Sequence, residues 1–287
     1  MLAIDACGTG MSAIEFNIEI SSTDSGSVSD CLVKASGLPR ARIKDAMGKG
    51  AVWLSDAKGK QRRLRRASLP VKAGTRLLLY YDARLLSVKP PVANCLHDQV
   101  RYSVWYKPPG LMAQGTLYGD HCSLLRQTEQ AFRPMRQVFL VHRLDREAAG
   151  LMLIAHDKQT AAQLSQLFQH NGITKHYRIS VLGDMRSRAE ASIDLPLDGK
   201  SARTHYKVLA YDTQKNVTHL QVTIETGRKH QIRRHFDLIG FPVMGDPRYG
   251  QGNKNAEGLC LIADSLAFKC PVRQSQVVYQ YPETETA

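Results

Sequence analysis

The sequence predicts an α+β protein of two domains: a larger one built on a mixed, largely antiparallel sheet, and a small N-terminal α/β module. Three observations lead there. The 287 residues are 43% hydrophobic, enough for one sizeable core and a smaller attached unit. The run Lys89-Pro-Pro-Val-Ala stiffens the chain and removes ladder donors, which marks a linker at 89–94. Beyond it, strand patterns outnumber helical ones. The expected division is a tail over 1–26, the module over 27–88 and the main domain over 95–287.

In chain order, what precedes Met11 reads as tail, and the small polar residues 20–30 read as a loop leading into the first helical pattern. From Pro39 to Gly50, Ile43, Ala46 and Met47 fall at i, i+3 and i+4, with Arg40, Arg42, Lys44 and Lys49 on other faces. That is a short basic amphipathic helix closed by Gly50. A strand at 51–54, a basic turn at 58–66 and a strand at 77–81 complete a helix-and-hairpin unit. In the main domain, strands are expected at 102–106, 151–155, 177–181, 205–211 and 220–224, the last with Leu220, Val222 and Ile224 alternating. One helix starts behind Asp157 as cap and runs through Ala161, Leu164 and Phe168 to Gly172. A second spans 229–240, with Ile232, Phe236 and Ile239 on its inner stripe and Arg233 opposite, free to reach outward.

Lys and Arg outnumber acidic residues 39 to 26, a formal net charge of +13, so the natural partner is a polyanion. No basic helix with a Trp or Phe face accompanies the charge, which favours RNA or DNA over a membrane surface. There is no apolar run of about 18 residues, and Met1 to Phe16 lacks the features of a signal peptide. A soluble, cytoplasmic chain is expected, with a monomer as the default. Six scattered cysteines have no metal or redox spacing and read as reduced, structural thiols. His230 and His235, five apart, do not share a helical face, and the arginines around them repel a cation, so no metal is expected.

The segment Val141-His-Arg-Leu-Asp145-Arg-Glu-Ala-Ala-Gly150 sets a carboxylate between two arginines just before an apolar strand. Neighbouring positive charge keeps such an Asp ionised. A surface salt bridge is one reading; a nucleophile at the anomeric carbon of a sugar is another. Charge pattern alone leaves both open.

Four motifs then occur in order: Lys107-Pro-Pro-Gly110, His142-Arg-Leu-Asp145 with Gly150, Thr226-Gly-Arg-Lys-His-Gln-Ile-Arg-Arg-His235, and Gly245-Asp-Pro-Arg-Tyr-Gly250. Across residues 100–275 the chain resembles the RluA-type RNA pseudouridine synthases. The resemblance implies the pseudouridine synthase fold and a cofactor-free isomerisation of uridine in structured RNA, ribosomal RNA ahead of transfer RNA. In that family an Asp matching Asp145 attacks the anomeric carbon or the uracil ring, and the uracil turns and rejoins through carbon 5. Tyr177, in Lys175-His-Tyr-Arg-Ile179, matches the tyrosine that stacks on the base and takes the carbon-5 proton; packing beside Ile179 and Val181 is its ordinary alternative.

Arg233 matches the family's basic partner of the Asp, with a phosphate contact as alternative. Arg143 resembles the arginine that fills the space left by the extruded uridine, and Leu261 an apolar wall of the uracil pocket. Two departures stand out: Ala148-Ala149 replaces the usual Thr-Ser, and Ile262 stands where His is frequent.

Residues 27–82 resemble the α-L RNA-binding module of a small-subunit ribosomal protein and several RNA-modifying enzymes, with Ser55-Asp-Ala-Lys-Gly59 in place of the usual Asn-Gly hairpin. Arg40, Lys44, Arg62, Arg63, Arg65 and Arg66 are its expected phosphate-binding face, or else a solvated basic turn. Two rival functions remain: a non-catalytic RNA-binding or ribosome-assembly factor on the same fold, and a glycosidase, which lacks here the second carboxylate such enzymes need.

Overall fold

A computed structural model of the chain describes residues 13–24, 26–56 and 58–281. Two compact units make it up. One ends at Pro90 and takes in Gln114–Arg126; the other comprises Pro91–Ala113 and the chain from Gln127 onward.

The smaller unit runs β1 (Ile14–Glu19), α1 (Val28–Ser36), α2 (Arg40–Gly48), β2 (Val52–Ser55), β3 (Gln61–Arg63), β4 (Arg76–Tyr81) and α3 (Ala83–Ser87). Its sheet has the order β1-β4-β2-β3 and is antiparallel. Ile43, Ala46 and Met47, the apolar stripe read from the sequence, are fully buried in its core with Leu32, Leu77 and Leu79.

Three expectations change here. Part of the expected tail is β1, paired with β4 along its whole length, because Phe16 and Ile18 alternate with polar residues and pack on the core. Residues 1–12 lie outside the described residues. The polar loop 20–30 ends early: Ser27 accepts from the Asp30 backbone N–H while Asp30 accepts from Ser27, a capping box that starts α1 at Val28. Within the basic turn 58–66, Gln61–Arg63 pairs with β2 and Leu64 is buried. The hairpin turns without Asn-Gly because Asp56 Oδ1 accepts from the backbone N–H groups of Lys58 and Lys60, and Gly59 takes φ +78°.

The segment Gln114–Arg126, expected in the main domain, belongs to the smaller unit for a physical reason. Asp120 takes ion pairs from Arg63, at 3.2 Å, and Arg65, its backbone N–H donates to the Lys49 carbonyl, and Trp53 Nε1 donates to the Leu117 carbonyl at 2.9 Å.

The larger unit contains β5 (Asn94–Asp98) and β6 (Tyr102–Lys107); α4 (Leu124–Ala131) leads back into it; then follow β7 (Phe139–Leu140), β8 (Ala149–Ala155), α5 (Lys158–Gln169), β9 (Ile173–Leu182), β10 (Glu190–Asp194), β11 (Arg203–Asp212), β12 (Val217–Ile224), α6 (Gln231–Leu238), β13 (Leu261–Lys269) and β14 (Gln276–Gln280). Its sheet has the order β10-β11-β12-β9-β13-β8-β6-β5, with β14 on β13 and β7 on β8. All ladders are antiparallel except β13 on β8, so the fold is the mixed, largely antiparallel α+β one expected.

β8 is buried along its entire length, as an apolar run flanked on both edges must be. Asp157 caps α5 by accepting from the Thr160 backbone N–H at 2.8 Å, and Leu164 enters the core beside Leu153 and Phe268. The parallel contact sets Ile262 opposite Ala149 and Ala263 opposite Gly150, while Ala263 faces Tyr177 on its other edge. The start of β8, the start of β13 and the middle of β9 therefore meet at one place. Gly150 makes this possible. It sits at φ +121°, and a Cβ there would lie 2.3 Å from the Ala263 carbonyl oxygen.

Candidate active site

Where those strands meet, a cavity of about 760 Å³ opens. Residues 141–145 and 148, Ser165, Phe168, Gln169, Asn171, Lys175, Tyr177, residues 224–233 and Leu261 line it. Asp145 thus shares one cavity with Tyr177, Arg233, Arg143 and Leu261, the five expected residues of the larger unit.

Arg233 is buried, 1% exposed, which corrects the outward-reaching arginine expected from the helical wheel. The reason is Asp246, itself fully buried. Arg233 Nε and Nη2 donate to its two oxygens at 2.7 and 2.8 Å, a forked pair. The remaining Nη1 donates to Asp145 Oδ2 at 3.1 Å and Glu147 Oε2 at 3.4 Å. Burial alone would lower the arginine's pKa; the hydrogen bonds and charge of Asp246, then those of Asp145, outweigh it and raise it. Burial would likewise raise Asp246, but Arg233 and the backbone N–H groups of Arg248 and Tyr249 hold its carboxyl below the usual range. The Gly-Asp-Pro-Arg-Tyr-Gly motif is therefore the anchor of the arginine that faces Asp145.

The loop carrying Asp145 is tied from beneath by Lys107. This lysine is fully buried, and its ammonium donates to the carbonyls of Ala148 (2.6 Å), Leu111 (2.8 Å), Pro108 (3.1 Å) and Arg146 (3.3 Å). The Gly110 N–H also donates to the Arg146 carbonyl, at 2.8 Å. Lys-Pro-Pro-Gly is thus a clamp on the Asp loop. Ala148 and Ala149 are buried, and the Ala148 carbonyl is one of those the ammonium holds. Burial pulls Lys107 down to about 8, against the carboxylates of Asp145 and Glu147, which favour its charge.

The loop from β12 into α6 is stitched by Gln231, which is also buried. Its Oε1 accepts from Thr226 Oγ1 and the Arg228 N–H, and its Nε2 donates to the Arg203 carbonyl and Thr204 Oγ1. His230, in the left-handed region at φ +53°, is turned so that Nε2 lies 3.8 Å from Asp145 Oδ1 while Nδ1 meets Tyr249 Oη at 3.0 Å. Burial lowers its pKa despite Asp145, so it stays neutral near pH 7. His235, in contrast, is a core residue bonded to Thr204 and the Leu195 carbonyl.

Tyr177 is buried beside Ile179 and Val181 and lines the cavity at the same time, so packing and base contact coexist. Burial, and secondarily the Asp145 carboxylate, raise its phenol well above the ordinary value.

The family model described as RNA pseudouridylate synthase matches residues 101–238. An RNA pseudouridine synthase of Aquifex aeolicus is 31% identical over 284 residues, covering 86% of either chain. The chain belongs to the RNA pseudouridine synthase family. Its activity class is accordingly that of an isomerase. The dual-specificity RNA pseudouridine synthase RluA of Pasteurella multocida is 30% identical over 69% of this chain and 98% of its own. The ribosomal large subunit pseudouridine synthase D of Pseudomonas aeruginosa is 36% identical over 60% of this chain and 53% of its own. Among solved structures, human RNA pseudouridylate synthase domain containing 1 superposes with a TM-score of 0.58 at 20% identity, over 68% of this chain and 86% of that one, a likeness of fold.

The synthase's other expected contacts fare differently. Arg143 is exposed at the cavity, with no carboxylate paired to it among the described residues. In the smaller unit, Arg63 and Arg65 are committed to Asp120 and to carbonyls: Arg65 donates to Gly48 at 2.8 Å, while Arg63 donates to Thr116 at 2.6 Å and lies over the Trp53 ring. Arg40 pairs with Asp30. Lys44, Arg62 and Arg66 are exposed. Sequence reasoning missed Lys107, Glu147, His230, Asp246 and Gln231, although the motifs that hold them were visible; what it lacked was the pairing. No cluster of three metal-ligating side chains occurs among the described residues, and no helix there is long and apolar enough to cross a membrane.

Proposed function

We propose that the protein converts uridine to pseudouridine in structured RNA, with Asp145 as nucleophile and without a cofactor. The observation that carries this reading is the carboxylate of Asp145, 26% exposed, held in the cavity by a buried arginine at 3.1 Å. The guanidinium fixes one carboxylate oxygen by a hydrogen bond at 3.1 Å and so aims the group into the cavity, the placement a nucleophile needs. Attack on the anomeric carbon breaks the glycosidic bond, and the uracil leaves with the electron pair on N1; in the alternative Asp145 adds to the uracil ring before that bond breaks. The uracil turns in the cavity, carbon 5 bonds to the sugar, the Asp145 oxygen is expelled as carboxylate, the carbon-5 proton departs and N1 takes up a proton.

Tyr177 stacks on the base in this scheme. Its neutral phenol is a poor acceptor for the carbon-5 proton, which leaves that proton to the released Asp145 carboxylate or to water. Leu261 supplies an apolar wall, and Arg143, exposed and unpaired, is suited to fill the stack when the uridine leaves it. Lys44, Arg62 and Arg66, with the overall charge of +13, provide phosphate contacts on the smaller unit; Arg40, Arg63 and Arg65 contribute less, their charge being already paired. Ribosomal RNA is the preferred substrate, ahead of transfer RNA, supported by a relative named for the large ribosomal subunit.

The test is to incubate the protein, with Asp145→Asn beside it, with RNA from a strain lacking its gene and to map carbodiimide-dependent reverse-transcription stops. New stops with the native protein alone are expected. Stops with both proteins would overturn the role of Asp145, and stops with neither, while RNA still binds, would favour a non-catalytic RNA-binding factor.

A further inference from the structure

One cation of the cavity has no part in the scheme above. Lys175 lies on the same face of β9 as Tyr177, two residues away, about 6.6 Å along a strand. It is only 9% exposed and lines the cavity. Among the described residues nothing accepts a hydrogen bond from its ammonium, and no carboxylate pairs with it; burial is the sole influence on its pKa, which falls.

The surroundings sharpen the anomaly. Besides the residues given roles above, the cavity lining includes Val141, His142, Ser165, Phe168, Gln169 and Asn171, none of them acidic. His142 is no acceptor for the ammonium: its Nε2 already takes the Leu153 N–H at 2.9 Å and its ring stacks on Phe168 at 4.1 Å. Burial and the Lys175 charge push it down to about 3, so it remains neutral. The side chain is mostly buried, while its ammonium has no protein partner and opens to the cavity, where an anion can complete it. The acidic groups of the cavity are engaged by other basic groups: Asp145 lies against Arg233 and His230, and Glu225 against Arg203 and His205.

We propose that Lys175 binds a phosphodiester adjoining the target nucleotide, making the part of the cavity around this ammonium a phosphate subsite. This rests on the cavity being the uridine site. The anion completes the unpaired ammonium, Arg143 at the rim adds a second positive charge, and the short strand spacing from Tyr177 sets the phosphate beside the stacked base. Lysine suits the task as a compact point charge with three donors. The contact holds the nucleotide and takes no part in bond making.

The experiment titrates the native protein, Lys175→Met and Lys175→Arg with uridine and with uridine 3′,5′-bisphosphate by calorimetry, and records thermal unfolding of each. The native protein should prefer the bisphosphate. In Lys175→Met that preference should fall at least about tenfold, the value of one charge-assisted hydrogen bond, with uridine affinity unchanged. Lys175→Arg should restore most of it. Lys175→Met should also unfold at the same or a higher temperature, since it removes a charge that no protein group pairs and leaves an apolar side chain in a mostly buried place. An unchanged preference in Lys175→Met overturns the proposal, as does equal weakening of both ligands, which would assign the ammonium to the base. Binding of neither ligand by the native protein overturns the uridine site as well.

Discussion

Replacing Asp246 by Asn removes one charge from outside the cavity and tests how Asp145 is held. Asp246 Oδ1 accepts from Arg233 Nη2 and from the backbone N–H groups of Arg248 and Tyr249, at 2.8, 2.8 and 3.1 Å; Oδ2 accepts only from Arg233 Nε, at 2.7 Å. The amide oxygen will therefore take the Oδ1 place, and its NH₂ will face the Nε–H, donor against donor. One charge-assisted bond, about 1.5–3 kcal/mol, is lost, and a buried donor goes unsatisfied at about 1–3 kcal/mol more. The sum, roughly 2.5–6 kcal/mol, brackets the about 3–5 kcal/mol that breaking a buried ion pair costs. For a unit of this size that is a fall of about 10 °C in melting temperature, measurable by calorimetry. With its fork broken, Arg233 no longer holds Nη1 3.1 Å from Asp145. Misplacement by about 1 Å costs on the order of a hundredfold, so the single-turnover rate of pseudouridine formation at 25 °C should drop ten- to a hundredfold. A melting temperature within about 2 °C of native together with an unchanged rate would refute the account of Asp246 as the anchor.

The remaining predictions concern the strand crossing and the loop clamp. Gly150→Ala sets a Cβ 2.3 Å from the Ala263 oxygen at φ +121°, so expression as soluble protein should collapse or the melting temperature fall further than in Asp246→Asn; a native-like melt would contradict the close approach. Lys107, lowered to about 8, loses its proton as pH rises through that value, and the neutral amine keeps two N–H donors, without the charge, for the four carbonyls around it. The rate should decline on an alkaline limb near pH 8. Stability runs the other way: the unfolded lysine keeps its proton up to its ordinary value, the folded one does not, and in that window this residue makes folding more favourable as pH rises. A rate that stays level to about pH 9.5 would remove the role given to the clamp. Asp246, held below the usual carboxylate range, acts at the other end: its contribution to stability is complete above the ordinary Asp value and is lost as pH falls below it, so acid unfolding should begin there and should be blunted in Asp246→Asn.

Much of this protein is written in its local sequence. Period and cap are local properties, so the helix from Asp157, the stripe Ile43-Ala46-Met47, the apolar β8 and the alternating β12 are legible without a structure. The four ordered motifs likewise name the family and point to Asp145. Partners are not local. Arg233 reads from the helical wheel as solvent-facing because a wheel sees only its own helix; Asp246, 13 residues on, turns it inward. The arginines of the basic turn read as one charged face until Asp120, more than 50 residues away, takes two of them. Lys107 and Lys175 are alike in sequence, each a lysine beside strand residues, and only tertiary packing separates one bonded to four carbonyls from one bonded to none. A charge's meaning depends on what lies within a few ångströms of it and on how much water remains there, and folding brings those neighbours from distant parts of the chain.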